Sequence, residues 1–449
     1  MPQLLVLKEC WSKGFPSNEF GYVLYPFLCI FKLFGFAPID LKNGENLHSK
    51  YGRLKLDICS ATWTVISAII YIVGFSYAVH QMSITNHWGH IQSEIPFITS
   101  WAQIGSLFLL GGLAVLTSWL HLPNMLKLCN LIYKIDQYLK VYMNVQIDYK
   151  QLRRRLLIEF TLLFLVPTTL SMVNCVVIQP IPDLSFNSSC YWFICFAPIM
   201  LLTFKEFQFY NLLFILKSKY DLINEKLQFY IHGLDKKKEK LKSKSNSISE
   251  VPLASIVTTT SVKEMEILGV DTLQNLLDIF SLITDAVELV LKIFSWHLLL
   301  TTTISFLTIT VQSYNLFAVL MKALEMLPYQ IFFIIAWILI QILTIGINVS
   351  ACSMTANAMS SAGPLVHKLK RHTSIDPASS FYQIIQIFSM EILHRQNIFT
   401  AAGFFDINYK LITSIIGAVT TYLVIIIQFH EATADMTSTK LNVTHPINM

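Results

Sequence analysis

The chain is 449 residues long, 54% hydrophobic and only 14% charged, with 31 Phe and a formal net charge of +5. Its mean hydropathy is +0.53, which exceeds what soluble domains of ordinary size bury, so composition excludes a soluble globular protein and points to repeated membrane crossing. The excess of 33 Lys and Arg over 28 Asp and Glu is small, and no nucleic-acid partner is expected.

At the amino terminus, Lys8, Glu9 and Lys13 surround only a four-residue apolar run, Leu4-Leu5-Val6-Leu7. No cleaved signal peptide is expected from so short a run. Residues 22–38 are apolar but interrupted by Pro26, Lys32 and Gly35. They read as a re-entrant or interfacial helix inside a cytoplasmic N-terminal segment, 1–56. Seven stretches of about 20 residues or more follow, each long enough to cross a bilayer core: 58–78, 97–120, 156–178, 191–214, 293–312, 328–352 and 411–429. The expected architecture is an all-α membrane protein with seven transmembrane helices, six of them within 57–352.

Basic residues orient these spans. Lys8, Lys13, Lys32, Lys42, Lys50, Arg53 and Lys55 precede the first, Lys127, Lys134, Lys140, Lys150, Arg153, Arg154 and Arg155 lie between the second and third, and the run from Lys236 to Lys242 lies between the fourth and fifth. The other loops and the C-terminal tail offer only Lys322 and Lys440. The N terminus is therefore expected in the cytoplasm and the C terminus outside. Sequons at Asn187 and Asn442 then face outward as candidate glycosylation sites, while a third at Asn348 is placed within a span. A G-protein-coupled receptor has the opposite orientation, and its acidic-Arg-aromatic and Asn-Pro-x-x-Tyr signatures are missing here. The eight cysteines show no metal spacing, and no metal or cofactor is expected. They read as buried apolar side chains, with one bridge involving Cys190 left open. No cluster of Cys, His, Asp or Glu has catalytic spacing, so no enzyme is expected.

Outside the membrane, Met125, Leu128, Leu131, Ile132 and Ile135 recur at helical spacing, as do Leu268, Leu273, Leu276, Leu277, Phe280, Ile283 and Val287. Both patterns predict long cytoplasmic extensions of the membrane helices. Between them, 233–260 is rich in Lys, Ser, Thr and Asn and reads as a disordered loop, whose basic run is either a solvated linker or a contact to anionic lipid. Within the spans, Lys205, Glu206 and His297 are intramembrane ionisable groups, and a register-fixing pair of Lys205 with Glu159 is expected. Residues 377–408 carry the stripe Phe381, Ile384, Ile385, Phe388 and Ile392 but also Glu391, His394 and Arg395. Too polar to span, this segment reads as a cytoplasmic helix hairpinned to the last membrane helix.

The last span holds Thr413, Ser414, Thr420, Thr421, Tyr422 and Gln428, more polar groups than a lipid-lodged anchor usually keeps. Tyr422, Ile425 and Phe429 share one helical face with Gln428 beside them, so one face is suited to a pathway; a packed anchor is the alternative. The motif Thr421-Tyr422, five apolar residues, Gln428-Phe429, preceded by Phe399-Thr400-Ala401-Ala402-Gly403-Phe404-Phe405-Asp406-Ile407-Asn408, resembles the C-terminal signature of insect gustatory receptors.

That resemblance implies a ligand-gated cation channel of the architecture shared with insect odorant receptors, a homotetramer or a heterotetramer with other gustatory receptor subunits. The last helix, within 409–430, then lines a central pore for permeant cations, with its constriction at Ile425 and Phe429. Residues 353–408 form a cytoplasmic anchor helix, and 431–449 an extracellular tail whose Glu431 and Asp435 either concentrate cations or are merely soluble. An apolar constriction gates by dewetting whatever its family. Each subunit carries an outward-facing pocket for a small-molecule tastant. The candidates are Trp101, Gln103, Asn174, Tyr191, Trp192, Thr308, Gln312, Tyr329, Gln330, Phe333 and Trp337, a mix of aromatic and amide groups suited to a small-molecule site. The interfacial aromatic belt is the alternative for each Trp and Tyr. Sugar-tuned members tend to carry an acidic residue after Thr-Tyr, where this chain has Leu423. The fructose-sensing branch tends to carry Cys-Gly before the last helix, where this chain has Ala402-Gly403. A bitter or other plant-derived ligand is therefore expected over a sugar. A sugar-responsive receptor, a transporter and a seven-span signalling receptor are the alternatives.

Overall fold

The computed structural model describes residues 20–33, 39–42, 53–56, 58–84, 94–178, 197–245, 270–321, 328–372, 380–395 and 399–444. Eleven helices are found among them: α1 Phe20–Leu33, α2 Ile58–Ile84, α3 Glu94–Leu120, α4 Leu122–Met143, α5 Tyr149–Ile178, α6 Ala197–Ser245, α7 Val270–Leu320, α8 Pro328–Ser360, α9 Ala362–His372, α10 Ser380–His394 and α11 Tyr409–Thr444. The strands are two short antiparallel pairs, β1 Ile39–Lys42 with β2 Arg53–Leu56 and β3 Thr400–Ala401 with β4 Phe405–Asp406. The chain is thus nearly all-helical, and the two hairpins are additions to the expected all-α fold. They are too short to carry a period-2 apolar pattern that sequence inspection would detect.

The predicted spans fall on α2, α3, α5, α6, α7, α8 and α11, apart from 191–196, which lies outside the described residues. Among the described residues three helical stretches have the length and apolarity of a membrane span, Ala197–Gly233, Ile331–Arg371 and Tyr409–Gln428. A fourth, Phe108–Leu120, joins Leu122–Met143 across a 64° bend. Pro123 in the first turn of α4 suits this break, because its missing N–H falls where a helix has no internal acceptor. The expected continuation of α3 into the cytoplasm is therefore a separate helix with a new direction.

α6 and α7, of 49 and 51 residues, are each about 75 Å long, more than twice the roughly 30 Å of a bilayer core. Their lower halves, with α4, the end of α8, α9 and α10, form one hydrophobic core. α4 contributes Leu128, Ile132, Ile135 and Leu139, and α7 contributes Phe280, Ile283, Ala286, Val287 and Val290, all at most 1% exposed. These follow the three- and four-residue spacing of an amphipathic helix, and each large apolar side chain so buried stabilises by about 1.5–3 kcal/mol. Phe388 of α10 meets Phe280 edge-on at 5.2 Å. Inside this core Lys219 of α6 pairs with Asp136 of α4, whose other oxygen accepts the Tyr149 hydroxyl at 2.9 Å. The buried charge is thereby both paired and hydrogen-bonded, the condition for keeping it there.

A second, smaller apolar cluster joins α1 to the membrane helices. Val23 and Phe27 pack with Leu156, Met200, Phe204 and Phe207, and the Arg153 guanidinium lies over the Tyr22 ring at 4.1 Å. The segment read as interfacial is thus a helix laid against the lower part of α5. Gly111 of α3 faces the Tyr71 hydroxyl of α2, and a Cβ added there would sit 2.6 Å from it. Any larger residue there would force the Tyr71 ring to move.

Three expected boundaries move. The segment 233–260 is helical as far as Ser245, because Lys and Glu are good helix formers and cations favour a helix C-terminus; 246–260 lies outside the described residues. The basic run lies about 30 Å along α6 from Phe214. Where one anchor helix was expected over 353–408, the chain forms the end of α8, α9, α10 and a hairpin, broken at Ser361 and followed by Gly363-Pro364. α11 continues to Thr444, so most of the expected tail is helical.

Candidate pore helix and ligand pocket

α11 is aimed by the hairpin that precedes it. Ala402 and Gly403 have φ of 50° and 79°, and Phe404 N–H donates to Ala401 O at 3.0 Å, closing a tight turn. Glycine tolerates that backbone and alanine is strained by it. Ile407 N–H then donates to Phe399 O at 2.7 Å, and the Asn408 side chain caps α11 by accepting Lys410 N–H at 2.9 Å. β3 packs against α7, and Arg395, just after α10, donates to Asp285 of α7 at 2.6 Å.

One face of α11, Leu411, Ile412, Ile415 and Val419, packs on the core. The Tyr422 ring borders that face, edge-on to Phe306 of α7 at 5.8 Å, and is still 53% exposed. Thr413 and Ser414 donate to Lys410 O, Thr420 to Ile416 O and Thr421 to Gly417 O. The hydroxyls noted in the sequence are therefore satisfied by their own helix, and their number alone does not require a water-filled path. Position is the stronger signal. Ser414, Gly417, Thr421, Ile425 and Gln428 recur at three- or four-residue spacing and are all exposed, a mostly small and polar stripe that no other described residues cover. Ser414 and Thr421 were noted in the sequence as polar residues of the span, but not as one face with Ile425 and Gln428, and Gly417 was not singled out; their 3-4 spacing with Gln428 was the available signal. Of the Phe429 side chain, and of those of Glu431, Asp435 and Asn442, nothing is described.

The pocket candidates divide. Thr308 and Gln312 lie one turn apart on α7 and are buried, Phe333 of α8 is buried, and Trp337 one turn further is half-buried. Trp101, Gln103, Asn174, Tyr329 and Gln330 stand on α3, α5 and α8 with side chains outside the described residues, and Tyr191, Trp192, Asn187 and Cys190 lie wholly outside them. The structure does not bring these candidates together as one described cluster. Instead it adds a polar ladder on α7: His297, Thr301, Ser305, Thr308 and Gln312 share one helical face, all buried. Ser305 donates to Gln341 of α8 at 2.7 Å, tying the two helices.

The expected Lys205–Glu159 pair does not form. Glu159 accepts Arg155 at 2.6 Å on its own helix, and Glu206, the next residue along α6, meets His297 Nε2 at 3.2 Å. Lys205 Nζ instead lies over the Phe294 ring at 5.3 Å. The physical reason is rotation: consecutive residues of a helix point 100° apart, so α6 turns Glu206 toward α7 and leaves Lys205 away from α5. Cys29, Cys129 and Cys352 are buried, and burial pushes the Cys129 thiol of α4 up to about 12.

A family model described as 7tm Chemosensory receptor matches residues 24–433. The chain belongs to that family. This chemosensory receptor is 28% identical to putative gustatory receptor 28b of Drosophila melanogaster over 223 residues, 48% of this chain and 46% of that protein. It is 27% identical to putative gustatory receptor 28a of the same organism over 337 residues, 69% and 71% of the two chains. The receptor thus spans about half the length of the first relative and more of the second. Its fold is that of the insect olfactory receptor OR5 from Machilis hrabei. The OR5 structure in complex with eugenol superposes with a TM-score of 0.60 at 12% identity, covering 90% of this chain and 97% of that one. The other OR5 structure gives 0.58 at 13% identity over the same shares.

Proposed function

We propose that the receptor is one subunit of a ligand-gated, non-selective cation channel responding to a small tastant, a plant-derived bitter compound rather than a sugar. Seven helices cross the membrane, with the N terminus in the cytoplasm and the C terminus outside, and α11 lines the pore. One observation carries this reading: the stripe Ser414, Gly417, Thr421, Ile425, Gln428 is uncovered while the opposite face of α11 packs on α7 and α8. Copies of α11 around an axis would turn those five positions inward, with Ile425 as an apolar constriction and Gln428 as an amide ring at its outer side. Gustatory receptor relatives support a tastant as ligand, and the eugenol complex of a protein of this fold supports a small organic one. The buried polar face of α7, with Phe333 and Trp337 of α8, supplies the wall of the pocket.

Whole-cell current from this chain, expressed alone or with partner subunits, during exposure to sugars and plant alkaloids tests the proposal. Ligand-evoked cation current is expected, with raised resting leak in Ile425→Ala and altered cation selectivity in Gln428→Ala. Evoked current with selectivity and leak unchanged in both variants would remove α11 from the pore. Saturable uptake without current would make the protein a transporter.

A further inference from the structure

Arg153, Arg154 and Arg155 stand near the start of α5, and consecutive residues of a helix point 100° apart. Arg153 is taken up by α1, its guanidinium over the Tyr22 ring at 4.1 Å. Arg155 is taken up on the other side, bonded to Glu159 at 2.6 Å and lying over the Phe214 ring of α6 at 3.4 Å. Arg154 falls between these two directions and is exposed, and Lys150, one turn back on the same face, is exposed as well. Among the described residues neither Arg154 nor Lys150 is paired with a carboxylate. Asp148 is occupied in capping α5, where it accepts the Lys150 and Gln151 amides at 3.0 Å each, and Glu159 belongs to Arg155.

This pair of cations is placed against the energetics of its own helix. Like charges one turn apart repel, cations near a helix N-terminus oppose its dipole, and the first turn of α5 holds no acidic residue. A negative group from outside the fold would offset both effects. The same face continues along α5 as an apolar stripe. Ile158, Leu162 and Leu165 follow Arg154 at three- and four-residue spacing and are 51%, 59% and 52% exposed. The opposite face, with Leu156, Phe160 and Phe164, packs against α1 and α6. Leu165 stands about 16 Å along the axis from Arg154, close to half of a bilayer core of roughly 30 Å. Two free cations at the foot of an apolar stripe one leaflet long have the layout of a phospholipid, headgroup below and acyl chain above.

We propose that Lys150 and Arg154 bind the phosphate of an anionic phospholipid of the inner leaflet, with an acyl chain lying along Ile158, Leu162 and Leu165. Arg154 supplies a planar fork for two phosphate oxygens, and Lys150 adds a point charge beside it. Assignment to the inner leaflet rests on the orientation proposed above; the lipid contact itself does not depend on ion conduction.

The test is native mass spectrometry of the full-length chain released from nanodiscs of phosphatidylcholine alone or with phosphatidylserine. Retained phosphatidylserine is expected for wild type. Retention should weaken about fivefold in Lys150→Gln or Arg154→Gln, since each basic residue near the surface contributes about 1 kcal/mol. The double variant should hold phosphatidylserine no better than phosphatidylcholine. Both side chains are exposed, so their removal leaves the packing of α5 intact. Lys217→Gln on α6, whose ammonium is already paired with Asp221 at 2.6 Å, should retain lipid as wild type does. Equal retention in wild type and the double variant overturns the site, and an equal loss in Lys217→Gln reduces it to net charge. Equal thermal protection by inorganic phosphate in phosphatidylcholine discs overturns it in favour of a small-anion site. A double variant that loses oligomers but keeps lipid overturns it in favour of a second copy's side chain as the counter-charge. These readouts stand whether or not the chain conducts.

Discussion

The helical base around α4, α9 and α10 and the last apolar helix, α11, bury their side chains by different rules. In the base, Leu128, Ile135, Phe280, Ile385 and Phe388 are wholly inaccessible within a single chain. On α11, Ile416 is 61% exposed, and Tyr422, Val424 and Ile425 are exposed as well. Water forces the first group inward, because exposed apolar area costs about 25 cal/mol per Å². It exerts no such force on the second, which lipid or further copies of the chain can cover. Within one chain, burial therefore concentrates in the base, and α11 is left with an uncovered face.

The largest effect should come from the buried charges of the base. Asp136→Ala strands Lys219 and should cost about 3–5 kcal/mol, read as a large fall in melting temperature in detergent and lost surface expression. A near-native melt would mean that the base is no better held than the membrane half. Phe388→Ala should cost about 3–5 kcal/mol by cavity formation, whereas Ile416→Ala should stay within about 0.5 kcal/mol; equal costs would break the contrast. At the junction of the two regions, Gly403→Ala should lose about 1–2 kcal/mol because φ is 79° there. Ala402→Gly, at φ of 50°, should be neutral or slightly stabilising, and a matching loss at both positions would disprove the turn geometry. The exposed Arg395–Asp285 pair should give a double-mutant coupling below about 1 kcal/mol. Finally, the Cys129 thiol, pushed up to about 12 by burial, should resist maleimide at pH 7.5 until the base unfolds; rapid labelling would show that the base opens.

Much of the fold was legible. The helix positions of the seven apolar stretches, the amphipathic extensions around Leu128 and Phe280 and the stripe Phe381, Ile384, Ile385, Phe388 are all written in three- and four-residue spacing. The break at His121, the β3–β4 hairpin and the division of 353–408 were not, since each depends on a turn of a few residues. The candidate site was partly legible. Tyr422, Ile425 and Gln428 were found by motif, but their faces differ: Tyr422 leans on Phe306, while Ile425 and Gln428 line up with Ser414, Gly417 and Thr421. Of the ladder from His297 to Gln312, His297, Thr308 and Gln312 were noted singly and Thr301 and Ser305 were missed, because isolated Thr and Ser in an apolar run give no sign of which helix they face.

By itself the sequence determined that this chain is helical and membrane-bound, and its length and motifs placed it among the chemosensory receptors. These follow from composition and local periodicity, which neighbours along the chain suffice to set. Only the tertiary structure decided that Glu206 takes His297 while Lys205 is left to Phe294, and that Asp136 holds Lys219 across 83 positions. It also decided which stripe of α11 remains uncovered. Partner choice of that kind depends on the rotation of one helix against another, a quantity set by packing between distant segments and invisible in the order of residues.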